Sequence, residues 1–188
     1  MKKIKLLVVS TTLAGGGAEQ FASTLVNHLD RHQFTPILAL LRDEISYPLA
    51  EDVDVVVLNK HKSWHYLRAV RRLRGIIESH RPDIILSNIA STCLLTGMAL
   101  RNCRHQPIWV ARSGASPEHT DNLILRWLHT RYFQRADQFV AISRGLKEGF
   151  SKLYPFSRSK ILTIYNFFIV NQTQHSQPLL PQYCQFFE

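Results

Sequence analysis

Three consecutive glycines, Gly15-Gly16-Gly17, lie between an apolar β-favouring run, Ile4 to Val9, and a pattern in which Phe21, Leu25, Val26 and Leu29 recur at helical spacing. Strand, glycine loop and helix in that order make a corner suited to an anion. Glycine allows a close backbone approach, and the first N–H groups of a helix have no partner within it. Two plainer readings use the same residues. A tight βα turn needs glycines without binding anything, and a secretory leader also joins a basic start, here Lys2-Lys3, to an apolar stretch and small residues. Ser10-Thr11-Thr12 interrupts that stretch and the helical pattern runs on beyond it, so a phosphate-facing corner is expected.

Other chemistries find less support. The dinucleotide fingerprint G-x-G-x-x-G would need a third glycine where Gln20 stands, although Asp43 is placed to act as a ribose acid. There is no G-x-x-x-x-G-K-[ST] run and no G-x-S-x-G elbow. His28 with His32, and His61 with His65, are four apart as paired metal ligands would be, but neither pair has an acidic partner; surface histidines and no metal are expected. Cys93, Cys103 and Cys184 are odd in number and have no C-x-x-C spacing, so packed thiols in a reduced, cytoplasmic chain are expected.

The elements that must position these residues alternate along the chain. Further strands are expected at Phe34 to Leu41, with an irregular start at Pro36, and at Val53 to Leu58, whose continuous apolarity suits burial on both faces. Ile84 to Leu86 follows, ending at Ser87-Asn88; then come Ile108 to Ala111, ending on Arg112-Ser113-Gly114, Phe139 to Ile142, and Ile161 to Ile164. Helices are expected between them, at Ser91 to Asn102, Leu123 to Gln134 and, starting from Ser143, Arg144 to Leu153, with Pro117 to Asp121 as loop. The alternation predicts an α/β fold, a Rossmann-like parallel sheet of about seven strands with helices on both faces. Its ligand crevice lies beyond the carboxyl ends of the strands, where Gly15 to Gly17, Asn88, Arg112, Ser113 and Ser143 all fall.

The helix expected over Lys62 to Arg81 carries a second signal. Tyr66, Ala69, Val70, Leu73, Ile76 and Ile77 share one face. Trp64 and Leu67 lie on the other side among Arg68, Arg71, Arg72 and Arg74. A solvated basic face explains most such runs, but an apolar ring and a leucine among arginines suit an anionic membrane surface.

The 188 residues suffice for one domain with a sizeable core, and no apolar run is long enough to span a bilayer. Twenty-three Lys and Arg against fourteen Asp and Glu give a net charge of +9, which calls for an anionic partner. Without a helix-turn-helix or an RNA-stacking motif, nucleic acid is not the expected one. From Phe167 to Glu188 the periodicity stops, and residues 167–188 are expected to form an irregular tail after a domain at residues 1–166.

Three segments then act together: Gly15-Gly16-Gly17-Ala18-Glu19 after a strand, Arg135-Ala136-Asp137 leading into Val140-Ala141-Ile142-Ser143, and Lys160-Ile161-Leu162-Thr163-Ile164-Tyr165-Asn166. In this order and spacing they resemble the N-terminal domain of the family four glycosyltransferases, retaining enzymes of the GT-B fold. The resemblance covers about Lys3 to Asn166. It implies the acceptor half of an enzyme that moves a sugar from a nucleotide-sugar, its donor substrate, to a lipid-linked or cell-surface glycan, with no metal or cofactor. By position Gly15, Gly16 and Gly17 would face the donor phosphates and sugar, and Arg112 and Ser113, with Asn88 and Ser143, would shape the acceptor and sugar pocket. The basic helix bearing Trp64 resembles the membrane-facing helices of members with lipid acceptors, which implies a peripheral place at the inner face of the cytoplasmic membrane.

The family pattern usually follows Tyr165-Asn166 with Gly or Pro and a second domain; here Phe167-Phe168 follows and the sequence soon ends. The expectation is therefore a truncated or split transferase that needs a donor-domain chain, with no catalytic acid or base assignable in this half. The other reading is a non-catalytic membrane or partner-binding module.

Overall fold

The computed structural model describes residues 2–60, 65–114 and 123–167. His61, Trp64, the loop Pro117 to Asp121 and the tail from Phe168, including Cys184, lie outside them.

Seven strands form one sheet: β1 (Ile4–Ser10), β2 (Phe34–Leu40), β3 (Asp54–Val57), β4 (Ile84–Asn88), β5 (Ile108–Ser113), β6 (Gln138–Ala141) and β7 (Ile161–Thr163). Their order is β3-β2-β1-β4-β5-β6-β7, and every neighbouring pair is parallel. Between them run α1 (Gly17–His28), α2 (Tyr66–His80), α3 (Ala90–Leu100), α4 (Leu123–Phe133) and α5 (Arg144–Leu153). The strand order reverses direction between β1 and β4, which opens a crevice beyond their carboxyl ends.

Strand alternation divides the interior into two cores. Leu7, Val9, Ile37, Ala39 and Ile85 point to one face, where α2, α3, α4 and α5 pack; Leu6, Val8, Leu38 and Leu40 point to the other, against Ala22 and Val26 of α1. Full burial of each Leu, Ile or Val among them contributes about 1.5–3 kcal/mol, so the sheet is held mainly by these two layers. On α2, Ala69, Leu73, Ile76 and Ile77 are buried as their spacing predicts, and the helix ends at Arg81 in the left-handed region (φ 50°) just before Pro82.

Two aspartates set the strand register. Asp83, one residue before β4, accepts from the Lys5 amide of β1 at 2.8 Å, and Asp137, one residue before β6, accepts from the Trp109 amide of β5 at 2.8 Å. The Lys5 amide holds the Asp83 carboxyl below its usual range. Both bonds sit at the end of the sheet away from the crevice, and they align the carboxyl ends of β1 with β4 and of β5 with β6.

Three expectations are corrected. The valine-rich run is not covered on both faces: β3 is the edge strand and its valines are only half-buried, because a run of apolar residues does not reveal where in the sheet its strand lies. Pro36 does not disturb β2, which pairs regularly with β1 from Phe34. β3 joins β2 only from Ile37 onward, so Pro36 lies where β2 has a neighbour on one side. Arg112 and Ser113 belong to β5 itself rather than to the loop after it.

Candidate functional site

The site is built where β1, β4, β5 and β7 end. After β1, Ser10 Oγ donates to the Thr12 carbonyl at 3.1 Å and the Leu13 amide to the Glu44 carbonyl at 2.8 Å, so the hydroxyl run shapes a pinned loop. Gly15 then takes φ 88°, a left-handed conformation that disfavours side chains, and Gly16 caps α1 in an extended conformation. Gly17 is the first helical residue, and a methyl group built on it would meet nothing within 4 Å.

The loop already holds a charge. Glu19 folds back so that its carboxylate lies against Gly16, and its Oε1 accepts from Thr11 Oγ1 at 3.0 Å. A carboxylate in the first turn of α1 is favoured by the helix dipole. The helix start is thus already taken by Glu19, a residue not among the expected site residues although it ends the Gly15 to Glu19 run.

Asn88, at the end of β4, joins the first turn of α1 to the end of β5. Its Nδ2 donates to the Ala18 carbonyl at 2.5 Å, and its Oδ1 accepts from Arg112 Nη1. Arg112 is opposite Asn88 in the β4–β5 register, so their side chains leave the same face of the sheet. The other Arg112 nitrogen, Nη2, donates to Asn166 Oδ1 at 2.5 Å, and the guanidinium lies 3.8 Å over the ring of Phe21 on α1. Ile89, next to Asn88, adopts φ 119° and ψ 157°, a region that costs a β-branched residue about 1–3 kcal/mol. Its amide donates to the Arg112 carbonyl at 3.0 Å and its carbonyl receives the Cys93 amide at 2.9 Å, which helps hold the turn in place.

Arg112 is 2% exposed and, among the described residues, pairs with no carboxylate. Burial lowers its guanidinium to about 10, which leaves it charged at neutral pH. Two neutral amides and an aromatic face orient this cation without cancelling it. It therefore supplies positive charge to the crevice, suited to an anion or to a charge that develops during reaction.

The expected site residues separate as follows. Asn88 and Arg112 meet, and Asn88 ties them to the start of α1 just after Gly15, Gly16 and Gly17. Ser113 is buried at the end of β5, and Ser143 Oγ accepts from the Leu146 amide at 3.2 Å as the cap of α5. Leu67, Arg68, Arg71, Arg72 and Arg74 are exposed on α2, on the opposite face of the sheet from α1, and Arg72 Nη1 donates to the Leu58 carbonyl at 3.1 Å. Phe21, Asn166 and Glu19 were not among the expected site residues; the polar Tyr165-Asn166 that follows the seventh apolar run was the available signal for one of them. Among the described residues no group of three or more His, Cys, Asp or Glu could hold a metal ion.

Solved structures share the fold that carries these residues. HepE from Anabaena in complex with UDP superposes with a TM-score of 0.71 at 21% identity, covering 92% of this chain and 47% of that one. A lipopolysaccharide outer core galactosyltransferase, WaaB, superposes at 0.68 and 18% identity over 89% of this chain and 47% of its own. A glycosyltransferase from Rickettsia africae superposes at 0.68 and 15% identity over 100% of this chain and 50% of its own. The chain thus spans about half the length of these structures, and identities this low show a shared fold, half of a GT-B architecture. A search of curated protein sequences gave no match. The model of Glycosyltransferase Family 4 matches residues 15–172, and the chain belongs to that family.

Proposed function

We propose that this chain is the acceptor-side domain of an enzyme that transfers a sugar from a nucleoside-diphosphate sugar to a lipid-linked or cell-surface glycan. The observation that carries the reading is Arg112, a buried cation with no carboxylate partner among the described residues, tied through Asn88 to the first turn of α1 after the glycine loop. In the reaction the bond from the sugar's anomeric carbon to the diphosphate oxygen breaks, a bond forms to an acceptor hydroxyl oxygen, and that hydroxyl's proton passes to the departing nucleoside diphosphate. Negative charge grows on the departing phosphate. Backbone N–H groups at Gly15 to Gly17 and the Arg112 guanidinium stabilise charge of that sign without having to reorganise.

A donor-binding half, on a second chain or on a further domain, completes the cleft in this reading. Half a cleft neither excludes water nor surrounds the phosphate, so transfer by this domain alone is expected to be slow.

The test is an NMR titration of the 188-residue chain with UDP-glucose and, separately, with a short glycan. The expected result is a change at the amides of Gly15 to Gly17, Asn88 and Arg112, weakened about tenfold by Gly17→Ala, whose methyl group fills the space the ligand would enter. If both ligands leave these amides unmoved at millimolar concentration, or move only residues elsewhere, the reading is wrong.

A further inference from the structure

The two faces of the sheet are covered unequally. Among the described residues α1 is the one helix on its side, where it packs on β1 and β2, whereas α2, α3, α4 and α5 cover the other face. β4, β5 and β6 therefore turn apolar side chains toward the α1 side with no described helix over them. Leu86 lies opposite Val110, and Arg112 opposite Val140, so these side chains leave the same face. Leu86, Val110 and Val140 are only half-buried, and Ile164 and Phe167, which follow β7, are 53% and 45% exposed.

A cavity of about 330 Å³ lies along this face beside α1. Leu25 of α1 and Ile84, Leu86, Val110 and Val140 of the strands give it hydrocarbon walls, and among the described residues Arg112 is the one polar side chain that lines it. Ile84 pairs with Ile108, four residues before Arg112, so from Ile84 to the cation the cavity runs about 13 Å along the strands. The cation thus stands at one end. Arg112 gives Nη1 and Nη2 to the Asn88 and Asn166 amide oxygens, which carry no net charge. An arginine has five N–H groups, so both donors and charge remain.

We infer that this cavity is a binding site for a soluble, single-chain fatty carboxylate, its hydrocarbon lying along β4, β5 and β6 and its carboxylate at Arg112. The walls supply no polar partner besides Arg112, so a peptide laid here would leave its amides unsatisfied, whereas a hydrocarbon chain has none to satisfy. A lone guanidinium balances one negative charge, and its planar fork fits a carboxylate. A phosphate dianion would bring an uncompensated charge into an apolar site. The same burial that lowers Arg112 to about 10 strengthens its attraction for a bound anion. The cavity lies across the sheet from α2 and needs neither a bilayer nor a nucleotide, so it can fail without the sugar-transfer reading, and that reading without it.

The test is isothermal titration calorimetry of the full chain with decanoate and with decanol, which has the same chain length without the charge. Decanoate is expected to bind, and decanol about tenfold more weakly, as the loss of one charged hydrogen bond implies. Arg112→Gln should bring decanoate down to the level of decanol. Ile164→Ser with Phe167→Ser removes exposed apolar wall and should weaken both ligands about tenfold while decanoate stays ahead. Thermal melts check that the variants fold. Methyl NMR of the parent, in which decanoate should shift Val110 and Val140, decides the site if Arg112→Gln does not fold. The proposal fails if decanoate does not bind at millimolar concentration or leaves those methyl groups unmoved. It fails equally if decanol binds as tightly, the result expected of an apolar face that a protein partner or a second copy covers. Retained preference for decanoate in folded Arg112→Gln, or parental binding in the double variant, also overturns it.

Discussion

Asn88 Nδ2 reaches the Ala18 carbonyl at 2.5 Å across 70 residues of sequence, while its Oδ1 receives Arg112. A single amide thus fixes the start of α1 relative to β5 at the point where the strand order reverses. Asn88→Ala takes the side-chain donor from the Ala18 carbonyl, which keeps its bond within α1, and leaves a buried guanidinium short of one acceptor. The expected loss is about 1–3 kcal/mol. For a chain of this size that lowers the melting temperature by several degrees in a calorimetric scan.

The glycine loop divides into three different roles, which alanine scanning will separate. Gly15→Ala forces a side chain into φ 88° and should cost about 1–2 kcal/mol. Gly16→Ala pushes against the Glu19 carboxylate, the free end of a flexible side chain, and should mainly release the Thr11 contact. Gly17→Ala meets nothing and should leave the melting temperature unchanged or slightly raised, so any loss of ligand binding in that variant reports on the ligand itself. Equal destabilisation by all three would contradict this division.

Gly97 on α3 lets that helix close on the core. A methyl group there would come within 2.9 Å of both the Trp109 ring and Tyr132 Cβ. Alanine is the better helix former by about 1 kcal/mol. Overpacking costs about 1–3 kcal/mol, and because Tyr132 Cβ is fixed by α4 the steric term should win. Gly97→Ala is expected to lower stability to urea, with the midpoint moving and the slope unchanged.

His129 is 6% exposed, stacks on Phe133 with ring centroids 4.8 Å apart, and has Nδ1 3.4 Å from the Tyr154 hydroxyl. Burial lowers its pKa below the usual histidine value. The unfolded chain therefore takes up a proton near pH 6.5 that the native state resists, so native stability is full above that pH and falls as the solution is acidified. His129→Phe should flatten the pH dependence of the melting temperature between about pH 7 and 5. A variant that tracks the parent over this range would show that another group is responsible.

Much of the fold was legible because secondary structure is written in short-range periodicity. The parity of Leu6, Leu7, Val8 and Val9 sorts them between two cores, the face of Ala69, Leu73, Ile76 and Ile77 seats α2, and Ser143 announces the cap of α5. Where the pattern misled, the missing information was position in the sheet. The valines of β3 read the same at an edge as in the centre, and Pro36 is harmless only because β3 pairs with β2 from Ile37 onward.

By itself, then, the sequence determined the alternation of strands and helices, the glycine corner and the edge of the sheet on which the polar strand ends gather. Each of these depends on residues a few positions apart. The tertiary structure decided which ends meet: Asn88 with Ala18, Arg112 with Asn166 54 residues away, and Phe21 beneath the guanidinium. It also decided that Arg112 is buried with, among the described residues, no acid paired to it. Strand order and register determine these meetings, and both follow from how the cores of the whole chain close rather than from any local run of residues.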